Sequence, residues 1–235
     1  MTDIVGLLIA YGMIAAVMGV AGLLLRTGVF SPSLSRKFIH ISVSHWWLLA
    51  MHFHTAWYWA AIGPVTFIIF NYIAYRTHLL SAMEDPEHRK NLGTVWFPIS
   101  LLLMVLLTFA GPVPRYVGGI GILTMGYGDG LASIVGRRWG GPRLGAGKSV
   151  AGSLTMFLAS AVVVALFMLH FHPLGSVAAG SGLPTADRVA AVGLVAAASF
   201  SIAAIATVVE LATPHGLDNL TVPLLTALSF YALFV

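Results

Sequence analysis

Two stretches of this chain place polar chemistry inside apolar sequence. They are Gly126-Tyr127-Gly128-Asp129-Gly130 and Gly147-Lys148-Ser149, the latter followed four residues on by Ser153. A third stretch, Glu210 to Asn219, sets Glu210 before a Pro214-His215-Gly216 turn and Asp218 with Asn219 after it. A charge in hydrocarbon is costly, so an acid between glycines in an apolar run marks a functional site. Carboxylates, a lysine and open backbone are the groups that phosphate and a divalent metal need.

Each stretch has a plainer reading to weigh against the chemical one. Close helix packing explains Gly118, Gly119 and Gly121, but it does not explain Asp129 between Gly128 and Gly130. Ser133 falls one turn on from Asp129, on the same helical face. Arg137, Arg138 and Arg143 could simply meet anionic headgroups. Lys148-Ser149 opening a helix is more specific, because free amides at a helix start bind phosphate and the lysine adds charge. A standard P-loop is excluded: Pro142 stands where that motif needs glycine, and no strand precedes it. Asp218 could be only the N-cap of the last helix. With Glu210 across the turn and Asp129 from another hairpin, the oxygen set instead suits Mg²⁺, with Asn219 as a neutral ligand. A fourth stretch, Arg36-Lys37-Phe38-Ile39-His40, places Lys37, His40 and Ser44 on one helical stripe facing the bundle.

The elements that must position these groups are membrane helices. Of the 235 residues 58% are hydrophobic and 9% charged, with mean hydropathy +0.91, where soluble domains carry about 25% charged residues. The chain has no cysteine, which excludes disulfides, thiolate catalysis and cysteine-based zinc sites. The fold expected is all-α, a polytopic helical bundle forming one membrane-embedded catalytic domain over residues 1–235. A span takes roughly 20 apolar residues. On that measure eight segments are predicted, with seven as the alternative: 4–25, 38–51, 56–75, 92–110, 117–135, 150–171, 189–212 and 220–235. With the N-terminus outside, the inner loops collect ten of the twelve basic residues, including Arg89 and Lys90, and leave only Arg115 and Arg188 outside. Both termini are therefore expected outside, and every polar stretch above falls on the inner side. The outer pairs His52/His54 and His170/His172 are read as loop or interface histidines, since residues two apart on a helix diverge.

Taken together, these stretches resemble the polyprenol kinase family of membrane lipid kinases, with dolichol kinases, phytol kinases and CTP-dependent diacylglycerol kinases among its members. A more distant likeness is to the CDP-diacylglycerol synthases. The matching residues are Arg36-Lys37-x-x-His40, Gly93-Thr94-x-x-Phe97-Pro98, Gly128-Asp129-Gly130-x-Ala132-Ser133-x-x-Gly136-Arg137, Lys148-Ser149-x-x-Gly152-Ser153, and Glu210 with Gly216, Asp218, Asn219 and Pro223. The compact length is similar to the phytol-kinase branch.

The resemblance implies transfer of the γ-phosphate of CTP, or another NTP, to a lipid alcohol such as phytol, farnesol or a polyprenol. Asp129, Lys148, Asp218 and His40 are the catalytic candidates. Arg36, Lys37, Gly128, Gly130, Ser133, Arg137, Arg138, Ser149 and Ser153 are candidates for nucleotide or phosphate binding, and Asp129, Glu210, Asp218 and Asn219 for Mg²⁺. Expected partners are the nucleotide, the lipid alcohol and the bilayer, with a homodimer left open and no nucleic acid. A prokaryotic plasma membrane is expected, with the site facing the cytoplasm. Phosphatidate cytidylyltransferase and diacylglycerol kinase activities are the enzymatic alternatives, and a transporter with broken helices the non-enzymatic one.

Overall fold

The structure, a computed structural model, describes residues 1–77, 92–144, 147–172, 184–214 and 216–235. Arg89, Lys90, Asn91 and His215 lie outside the described residues. The fold is all-helical, with 86% of the described residues in helix. Among the described residues the nearest thing to a strand is one isolated bridge, Arg143 with Ser149.

In chain order, α1 is Thr2–Arg26, α2 Pro32–Ser44, α3 Trp46–Phe53 and α4 Trp57–Thr77. Then come α5, Gly93–Val105, extended by a π-helical turn Leu106–Ala110, and α6, Arg115–Leu123. A second π segment, Thr124–Asp129, leads into α7, Gly130–Arg138. The last three are α8, Val150–Phe171, α9, Thr185–Ala212, and α10, Asp218–Phe234. Among the described residues, five stretches are long and apolar enough to cross a membrane: α1, α4, α5 with its π turn, α8 and α9.

The other three expected spans depart from the simple reading in ways that matter. The segment expected at 38–51 divides at His45 into α2 and α3. There the His45 amide bonds back to Ser42 at 3.2 Å, so the Ile41 carbonyl loses its normal helical partner. The Ser44 hydroxyl and His45 Nδ1 take that carbonyl instead, at 2.6 and 3.0 Å. The segment expected at 117–135 is a helix interrupted by its π segment. The last helix, α10, is 17 residues long.

Packing explains where the interruption sits. The run α6–π–α7 lies among α2, α8 and α10, and it is buried from Val117 to Gly130 apart from the half-buried Tyr127. Its glycines allow that: an added methyl at Gly118 would overlap the Trp47 ring, at Gly119 Phe167, and at Gly121 the Pro223 carbonyl. Around it sits the apolar core, including Trp47, Ile120, Met125, Met156, Ile202 and Phe230, all fully buried.

The opposite end of α1 is held by a separate polar cluster. The Asp3 carboxylate accepts from the Thr55 amide at 2.7 Å, and Arg115 donates to the carbonyls of His54 and Thr55 at 2.9 and 3.1 Å. Arg115, expected outside, is thus well away from the basic residues of the other end, since α1 alone is about 37 Å long by its helical rise.

Candidate active site

Five separate elements bring the candidate residues together. Lys148 sits in the loop before α8, where Gly147 adopts φ +73°, a left-handed conformation that glycine takes without strain. The loop closes on itself through Leu144 N–H to Lys148 O, at 2.6 Å, and Arg143 Nη1 to Gly147 O, also at 2.6 Å. Ser149 then caps α8 by accepting the Gly152 amide at 3.2 Å.

The Lys148 ammonium lies 2.5 Å from Glu210 Oε1, 3.1 Å from Asp218 Oδ2 and 3.9 Å from Asp129 Oδ1. Three carboxylates from the end of α9, the start of α10 and the π segment thus surround one lysine. Burial opposes its charge, but Asp129, Asp218 and Glu210 outweigh that and hold the ammonium above the ordinary lysine value.

A second lysine joins from α2. Lys37 Nζ donates to Asp129 Oδ2 at 2.5 Å, so Asp129 bridges two ammonium groups through its two oxygens. His40, one turn along, points Nε2 at the same Asp129 oxygen from 3.9 Å and packs its ring against Phe97, with centroids 4.6 Å apart. Among the described residues that nitrogen is buried without a hydrogen-bond partner, as are Glu210 Oε2 and Ser153 Oγ. A buried polar atom left unmatched points to a ligand or water that completes it.

Asp218 departs from the N-cap expectation. It is the first residue of α10 and turns its Oδ1 to the amides of Gly216 and Asn219, at 3.1 and 3.0 Å. Its other oxygen is thereby left for Lys148. Asn219 Nδ2 donates to the Gly216 carbonyl at 3.3 Å, which pins the turn.

Not every sequence candidate enters the cluster. Asp129, Lys148, Glu210, Asp218, Lys37 and His40 form it, with Asn219 alongside. Gly128 and Gly130 are buried and serve close packing, since a methyl at Gly128 would overlap Met156 Sδ and one at Gly130 would overlap Ile41. Arg137 and Arg138 lie beyond the cluster at the end of α7, Arg138 exposed and set over the Trp139 ring at 5.3 Å. Ser133 and Arg36 are half-buried. The pairing of Lys37 with Asp129, 92 positions away, had no local sequence signal.

The chain as a whole is similar to known proteins. Over 231 residues the chain is 34% identical to the phytol kinase of Synechocystis sp., covering 97% of this chain and 90% of that relative. The chain belongs to the phytol kinase family. Within the family it is also 31% identical over 219 residues to a probable phytol kinase 2, chloroplastic, of Glycine max, across 88% of this chain and 67% of that one. Phytol kinase 1, chloroplastic, of Arabidopsis thaliana is 29% identical over 226 residues, across 90% and 70%. No protein-family model matches the chain, and no solved structure does.

The donor chemistry of the site fits a hard divalent cation. Asp129, Glu210 and Asp218 offer carboxylate oxygens, and one of them, Glu210 Oε2, is buried and unmatched among the described residues. Among those residues no three acids or histidines are already gathered at metal-ligand spacing, because Lys148 stands between the carboxylates. The cluster is a set of opposite charges that an anion and a cation entering together could divide.

Proposed function

We propose that this protein is a CTP-dependent lipid-alcohol kinase that phosphorylates a prenol such as phytol, farnesol or a polyprenol. The observation that carries the reading is Lys148, buried among Asp129, Glu210 and Asp218. Phosphoryl transfer asks a protein for alignment and for neutralisation of phosphate charge, and this site concentrates both kinds of group. The relatives named as phytol kinases support the same substrate class.

In the reaction, the alcohol oxygen bonds to the γ-phosphorus, the bond from that phosphorus to the bridging oxygen breaks, and CDP leaves. Lys148 moves from its carboxylates to the phosphate oxygens, and Arg137 and Arg138, at the end of α7, meet the nucleotide arriving from water. One of the three carboxylates, or His40 at 3.9 Å from Asp129, accepts the alcohol proton. Asp129, Glu210 and Asp218, with Asn219, would hold Mg²⁺, which supplies neutralisation of the triphosphate. The lipid tail lies among the helices with its hydroxyl at headgroup depth. By the distribution of basic residues the site faces the cytoplasm, with both termini outside, and the Synechocystis relative supports a prokaryotic plasma membrane.

The test is purified protein in detergent with γ-³²P-labelled CTP, Mg²⁺ and phytol, farnesol or diacylglycerol in separate reactions. Label in an organic-soluble prenyl phosphate is the expected result. Diphosphate release on adding phosphatidate, with no transfer to any alcohol, would make the protein a cytidylyltransferase instead.

A further inference from the structure

The π segment that carries Asp129 is tied to the α2–α3 break by a contact that takes no direct part in the charge cluster. His45 Nδ1 lies 3.0 Å from the Ile41 carbonyl, and His45 Nε2 lies 2.9 Å from the Tyr127 hydroxyl. A carbonyl can only accept, so the ring proton sits on Nδ1 and Nε2 receives the Tyr127 O–H. The two rings meet edge to face, with centroids 5.4 Å apart and planes at 72°.

Three further contacts run along the same face of α2. Lys37 binds Asp129, a methyl at Gly130 would meet Ile41, and one at Gly126 would meet Ser44. The α2 surface from Lys37 to Ser44 is therefore fitted to the π segment and the first residue of α7. Backbone bonding in a π turn departs from the regular α-helical pattern, so side-chain ties set where its residues point. Tyr127 is two positions from Asp129, within that same segment.

We infer that His45 and Tyr127 are positioning residues, whose hydrogen bond fixes the π segment so that Asp129 faces Lys37 and Lys148. The inference rests on the kinase reading for its kinetic consequence, but its structural content stands apart from it. The break in α2 then has a purpose. It frees the Ile41 carbonyl, the carbonyl fixes the His45 tautomer, and the tautomer presents an acceptor to Tyr127.

The experiment uses full-length protein in detergent and the variants Tyr127→Phe, His45→Gln and His45→Leu. Carbodiimide labelling of carboxylates, read by mass spectrometry, reports how well Asp129 is held, with Asp3 as the internal control. Tyr127→Phe is expected to speed labelling of Asp129 and leave Asp3 unchanged. In the kinase assay kcat is expected to fall roughly tenfold or more, the order seen when a reacting group is misplaced, with KM for CTP within about twofold of the parent. His45→Gln, which keeps an acceptor for Tyr127, should retain more kcat than His45→Leu. Unchanged Asp129 labelling in Tyr127→Phe, or equal losses in the two His45 variants, overturns the inference. If the parent protein transfers phosphate to no alcohol, the kinase reading fails, and the labelling comparison still decides the positioning role.

Discussion

Lys148 Nζ and Glu210 Oε1 are 2.5 Å apart, joining the loop that opens α8 to the last turn of α9. The pair is drawn inward, with side-chain exposures of 18% and 3%. Since the second oxygen of Glu210 meets no partner among the described residues, this contact is half of a coordination that a ligand could complete.

Replacing Lys148 with Met leaves Asp129, Glu210 and Asp218 facing one another without their shared cation. Removing one partner of a buried ion pair costs about 3–5 kcal/mol, so the variant should melt well below the parent in detergent and transfer no phosphate. The folded-state value of Lys148 is raised. Its contribution is therefore complete below the ordinary lysine value and is lost as pH rises through the raised one. An unchanged melting temperature in Lys148→Met would show that the carboxylates do not depend on it.

Asp129→Asn and Asp218→Asn keep size and one acceptor oxygen while removing charge. In Asp218→Asn the amide oxygen can still accept the Gly216 and Asn219 amides that Asp218 Oδ1 accepts, so the turn into α10 should survive. Both variants should insert and purify normally yet lose turnover by at least about a hundredfold, in line with losing charge placed against the transferring group. Label transfer per milligram of folded protein measures this, and normal activity in either variant removes the role given to that carboxylate.

Glycine substitutions should separate the crowded π segment from the lipid-facing surface. An added methyl at Gly126 would overlap Ser44, whereas Gly19 in α1 has nothing within 4 Å of the same position. Gly126→Ala is expected to destabilise by about 1–3 kcal/mol through overpacking. Gly19→Ala should be neutral or stabilising by up to about 1 kcal/mol. Equal thermal shifts in the two would contradict the tight fit of α2 on the π segment.

Chelation with EDTA should abolish transfer and added Mg²⁺ should restore it. Glu210→Gln keeps the shape but weakens the oxygen donor, and should raise the Mg²⁺ concentration needed for half-maximal rate. Full activity in excess EDTA would remove the metal role from Asp129, Glu210, Asp218 and Asn219.

Much of this was legible in the sequence because the signals were local. Apolar runs located the helices of the bundle to within a few residues, as with 150–171, which is α8 as found. Glycines beside Asp129, and a lysine before a capping serine, marked the cluster. What the sequence concealed depends on the third dimension. The division of α2 from α3 at His45 replaces one backbone bond with two side-chain bonds, and an apolar average over residues 38–51 does not register it. The π segment inserts no distinctive residue. The charge of Lys37 is visible in sequence, but its contact with Asp129, an acid 92 residues away, is not. Arg137 and Arg138 carry a less specific signal than Lys148 in sequence, and α7 ends with both outside the cluster.

The sharing of one lysine among separate helices also bears on how the protein is made. The α9 helix carries Glu210 and α10 carries Asp218, and both acids are buried in the finished bundle. Neither can be paired within its own hairpin, because their cation comes from the loop before α8 and their companion acid from the π segment. An intermediate that lacks α9 and α10 therefore sets Lys37 and Lys148 against Asp129 alone. Docking of the last two helices is also what completes the counter-ions of Lys148, so a nascent chain truncated before Asp218 would leave it short of one of its three and present an incomplete surface to quality control.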